Sequence, residues 1–167
     1  MRLLGALLCF FVSTCLGLSA GGRERARTEE CVAFLSLFSH VQNQISYFSA
    51  PTKVIYRGIE NGTLARIGFL DALCAHENDD IYFDVWSSAL DSCEDKLHLT
   101  AEQMATVRAF GSCIGKTNGE LQLRQMEYYA NTMATETERQ RSEMQKNIKV
   151  YRTLGFAAGA AMLLLVL

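Results

Sequence analysis

Proline and tryptophan each occur once in the 167 residues, no Cys-x-x-Cys pair is present, and the net charge is only -2. Each shortage excludes something. Without a concentrated Lys/Arg face there is no surface to neutralise phosphates, so nucleic acid is not an expected partner. The six cysteines (Cys9, Cys15, Cys31, Cys74, Cys93, Cys113) are widely spaced and no histidine stands at metal-ligand distance in sequence, so they read as small apolar residues in a reducing compartment. His40, His76 and His98 are isolated, and His40 reads as a surface or rim residue. Ser, His and Asp occur in no arrangement that makes a catalytic triad. The stretch GSCIGKT, from Gly111 to Thr117, is a residue short of the Walker pattern, and helix rather than strand is expected before it, which excludes a phosphate-binding loop. The paired acids Asp79 and Asp80, and Glu94 and Asp95, fall at helix boundaries with no nucleophile near in sequence. No catalytic residue, cofactor or metal is therefore expected, and the chain reads as a non-enzyme.

What the sequence does have is apolar residues at both ends. Leu3 to Ala20 carries no charge and would be about 27 Å long as a helix, near the hydrocarbon thickness of a bilayer. Leu154 to Leu167 is also uncharged but shorter, and extending it to Ile148 recovers the length if Lys149 and Arg152 reach the interface on long stems. Arg23, Arg25 and Arg27 follow the first run, and Lys146, Lys149 and Arg152 precede the second, on the domain side of each. The expectation is two membrane-spanning helices with the domain between them in the cytoplasm: residues 1–22 and 151–167 as anchors, residues 23–150 as a helical body. Gly17 with Gly21, and Gly155 with Gly159, have the spacing of close helix packing, against the competing reading of chance glycine spacing. The alternative for the first run is a cleaved secretory signal, leaving a secreted, tail-anchored binding protein.

Between the ends, hydrophobic periodicity predicts six helices. The first, Glu29 to Phe48, carries Cys31, Phe34, Phe38, Val41, Ile45 and Phe48 as a heptad stripe. A short second helix, Thr52 to Glu60, follows the lone Pro51 and ends at Asn61 and Gly62. Leu64 to Ala75 is the third and Ile81 to Cys93 the fourth, the latter with Val85, Trp86, Ala89 and Leu90 inward. Its flanks are acidic, reading either as a solvated face or as a docking surface for a basic partner. Thr100 and Gln103 have capping-box spacing before helix five. Gly115 reads as its C-terminal cap, with Thr117 or Asn118 starting helix six, where Thr117 and Glu120 again fit a capping box. From Met126 the residues Ala130, Met133, Thr137, Gln140, Met144, Ile148 and Tyr151 keep one face, and no proline interrupts. The expected fold is an all-α antiparallel six-helix bundle.

The segment GKTNGELQLRQ resembles the pattern G-x-S-D-x-E-x-Q-I-K of the stage III sporulation protein AB family, with Gly115, Thr117, Asn118, Glu120, Gln122, Leu123 and Arg124 in the corresponding places. KNIKVYRTLG is similar to that family's ending, FLSLFSHVQNQISYFSAP to its first helix and following proline, and Trp86 stands where the family carries a tryptophan. Asn118 replaces the usual acid, Gly119 and Leu121 differ, and Gln44 stands in place of a glutamate. The resemblance implies a body similar to the F domain of the type II secretion inner-membrane protein. It further implies a non-enzymatic membrane component of the mother cell–forespore channel, on the mother-cell side in the outer forespore membrane. Its implied partners are the ATPase stage III sporulation protein AA, other stage III sporulation membrane proteins and the lipid bilayer. Candidate partner contacts are Asp79, Asp80, Gly115, Thr117, Asn118, Glu120, Gln122 and Arg124.

Overall fold

A computed structural model describes the backbone of residues 2–48, 56, 59–75, 82–115 and 119–166, and the side chains of 21–46, 56, 59–75, 82–115, 119–150, 153–154, 157 and 161. Six α-helices lie among the described residues: α1 (Arg2–Phe48), α2 (Gly62–Ile67), α3 (Phe69–Ala75), α4 (Tyr82–Cys93), α5 (Ala101–Gly111) and α6 (Gly119–Val166). A 3-10 turn, Glu94–Lys96, follows α4, and no strand is found among the described residues. Among the described residues the fold is all-α, a six-helix bundle.

The heptad stripe on α1 explains the centre of the core. Cys31, Phe34, Phe38 and Val41 are fully buried, and Ile45 packs against them half-buried. Phe38 stacks on Phe110 of α5 with centroids 3.7 Å apart, while Phe34 meets Phe69 edge-on, and Phe69 meets Trp86 in the same way. Such aromatic pairs contribute about 0.5–1.5 kcal/mol each beyond the area they bury. Trp86 is wholly enclosed, and its indole N–H donates to the carbonyl of Val107 at 3.1 Å, so the one polar atom of the ring is satisfied. Gly111 lies against that ring so closely that a Cβ there would overlap it. Tyr56 belongs to the same core, and burial, with Tyr82 adding to it, pushes its phenol well above the ordinary tyrosine range.

Local signals account for most boundaries. Thr100 caps α5 with both bonds of a capping box: its hydroxyl accepts from the Gln103 amide, and its own amide donates to Gln103 Oε1. The expected third helix is two helices, because Gly68 adopts φ 90°, a left-handed conformation that ends α2 before α3 begins. Lys96 supports the break by donating to the carbonyl of Ile67. Asn61, expected to end a helix, instead starts one: its Oδ1 accepts from the Leu64 amide, and its Nδ2 donates to the Ala33 carbonyl. Of the expected second helix, Tyr56 lies in a turn and Ile59 and Glu60 are not helical; the rest lies outside the described residues.

The chain forms two compact units, one of residues 29–138 and one of residues 1–28 with 139–167. In the second unit the two chain ends meet. Gln140 Nε2 donates to Glu24 Oε2 at 2.7 Å, the Thr28 hydroxyl lies 3.5 Å from Met144 Sδ, and Gly21 faces Ile148 at ordinary contact distance. Gly17, Gly155 and Gly159 have helical backbone but otherwise lie outside the described residues.

One expectation is corrected here. Among the described residues no helix is long and apolar enough to cross a membrane. A span needs about 20 mostly apolar residues, and the described side chains of α1 and α6 include the charged Arg23, Glu24, Arg25, Arg27, Lys146 and Lys149. This finding overturns the two membrane-spanning helices and the placement in a cell membrane between them. It equally removes the tail anchor from the secreted alternative.

Candidate functional site

The turn from α5 into α6 is built by backbone before any side chain is considered. After Gly111 the chain closes two i to i+3 bonds, from Cys113 to the Phe110 carbonyl and from Ile114 to the Gly111 carbonyl. Gly115 then takes φ 81°. Helix α5 itself ends at Gly111, so Gly115 terminates the turn rather than capping the helix as expected. Cys113 and Ile114 are buried, and Cys113 Sγ lies 3.8 Å from Gln125 Oε1, which ties the turn to α6. A side chain at Gly115 would crowd Tyr82, whose Cδ2 is 2.5 Å from the Cβ position. The start of α4 and the α5–α6 turn are thus brought together.

The sequence-predicted contact residues separate on this frame. Glu120 and Arg124 are exposed on the first turns of α6 and pair with each other at 2.7 Å, an i to i+4 ion pair of modest strength at the surface. Gln122 is buried and turned inward. Asp79, Asp80, Thr117 and Asn118 lie outside the described residues. Periodicity did not single out Leu121 and Tyr128, which are 51% and 66% exposed. Seven residues apart, they share a helix face with Arg124, and Tyr128 also packs edge-on against Tyr129. An exposed tyrosine beside an arginine is the composition of interface hot spots.

A second constellation was also missed. Glu30 of α1 is almost fully buried, and its carboxylate accepts the backbone amide of His98 while lying 2.7 Å from the His98 ring Nδ1. A separation of 68 residues hides this pair from any local pattern. Among the described residues no group of three or more His, Cys, Asp or Glu could hold a metal ion. Cys31, Cys93 and Cys113 are buried and Cys74 is exposed.

The chain matches the family model described as Stage III sporulation protein AB (spore_III_AB) over residues 2–167. It belongs to that family and is a non-catalytic component. Membership links it to the other stage III sporulation proteins and to a sporulation or secretion-related role. Comparison with curated proteins and with solved structures yields no match.

Proposed function

We propose, from membership of the stage III sporulation protein AB family, that this chain is an assembly component that docks an ATPase, stage III sporulation protein AA. Residues 23–150 are its working body, and the first turns of α6 are the contact. The observation that supports this reading is the exposed face of Leu121, Arg124 and Tyr128 beside a turn fixed by Gly115 and Tyr82. A surface already rigid in the free chain loses little conformational freedom on binding. Glu120 holds Arg124 on that face, and the same guanidinium can turn to a carboxylate of the partner.

The test is association of the purified full chain with the ATPase at micromolar concentrations, measured by light scattering and pull-down. Tyr128→Ala and Arg124→Glu are expected to weaken binding about tenfold each, corresponding to about 1.4 kcal/mol. Absence of association, or binding indifferent to both substitutions, counts against the reading.

A further inference from the structure

A shallow groove of about 550 Å³ lies between the 3-10 turn and α5. Its floor is one stripe of α5, Ala101, Met104 and Ala105, and its wall is Leu97 and Leu99 from the connecting loop. The loop is held at each step. Leu97 donates to the Glu94 carbonyl, His98 is fastened to Glu30 by both its amide and its ring, and Thr100 is locked in the capping box. The wall is therefore fixed without an occupant. Small alanines leave the depth, and Met104 supplies a side chain that adapts to irregular apolar shapes.

Charge at the rim selects the occupant. The two cations nearby are already engaged: Lys96 donates to the Ile67 carbonyl, and Arg108 donates to Asp91 at 2.7 Å and to Ser87 at 2.8 Å. The exposed carboxylates of Glu94 and Asp95 have no hydrogen-bond or ion-pair partner among the described residues. Glu94 lines the groove and Asp95 follows it in the 3-10 turn, while Arg108, also in the lining, is paired with Asp91. An apolar floor with an unpaired carboxylate at its edge fits a helix with apolar residues on one face and lysine or arginine beside them. We propose that this groove receives a basic amphipathic helical segment of a partner protein, with its apolar side chains on Ala101, Met104 and Ala105 and its cations against Glu94 and Asp95.

The probe is a synthetic 18-residue helical peptide with leucines at i, i+3, i+4 and i+7 and lysines flanking them, titrated into the full chain by fluorescence anisotropy. Saturable binding is expected. It should weaken at least tenfold with Ala105→Arg, which fills and reverses the floor, and about tenfold with the double variant Glu94→Lys, Asp95→Lys. Glu60→Lys, a charge reversal of the same kind outside the groove, should leave it unchanged. A peptide with glutamates in place of lysines should not bind. Should Ala105→Arg lose helical circular dichroism, the double variant on exposed residues decides. No saturable binding, or equal affinity in the wild type and the double variant, overturns the proposal.

Discussion

The unit of residues 29–138 and the unit formed by the two chain ends are held by different chemistry. The first is closed by aromatic rings fitted to one another: Phe34, Phe38, Phe69, Trp86 and Phe110, with Gly111 bare because the indole occupies its side-chain space. The described contacts of the second include the polar pairs Gln140 to Glu24 and Thr28 to Met144, with Thr28 and Gln140 themselves buried, beside the approach of Ile148 to Gly21. Shape matching in a dry core contributes several kcal/mol per large side chain, whereas a polar bond exchanged against water contributes about 1 kcal/mol. The body is thus specified by shape, and the described contacts between the paired ends add polar matching.

Three substitutions test that contrast. Trp86→Ala empties the middle of the ring cluster and is expected to destabilise the chain by about 3–5 kcal/mol, read from urea denaturation followed by far-ultraviolet circular dichroism. Gly111→Ala inserts a methyl group where the indole lies, and a cost of about 1–3 kcal/mol is expected in the same measurement. Gln140→Ala removes a bond to a largely buried carboxylate and should cost about 1.5 kcal/mol. If Gln140→Ala proved as damaging as Trp86→Ala, the division between a packed body and polar-matched ends would fail.

The core was legible in the sequence because its elements are periodic. Cys31, Phe34, Phe38 and Val41 of the α1 stripe, the inward set Val85, Trp86, Ala89 and Leu90, and the long face from Met126 through Ala130, Met133, Thr137 and Gln140 are all buried as spaced. The capping box at Thr100 was legible for the same reason, since its partners are three residues apart. Gly68 was not, because a lone glycine inside an apolar pattern keeps the period intact whether or not its φ is positive. Asn61 followed by Gly62 reads as a stop or a start with equal ease, and only the Ala33 carbonyl, 28 residues away, shows which. Glu30 with His98 and the groove beside it depend on distant segments meeting, which no window on one segment contains. The anchors were inferred from the absence of charge in two terminal runs, and the finding on helix length and apolarity among the described residues removed them. Of the candidate contacts, Glu120 and Arg124 are exposed as a surface role requires, whereas Gln122, carried over from the family pattern, is buried, since a matching motif position does not say which face of the helix it occupies.

That the chain has a single tryptophan, sealed in the body with its N–H bonded to Val107, gives the molecule a built-in optical reporter. Its emission should lie toward the blue in the native state and move red only when the ring cluster opens. Melting of the chain ends would change helical ellipticity and leave that emission untouched. The two signals followed on one sample separate the unfolding of the body from that of the ends, without any label.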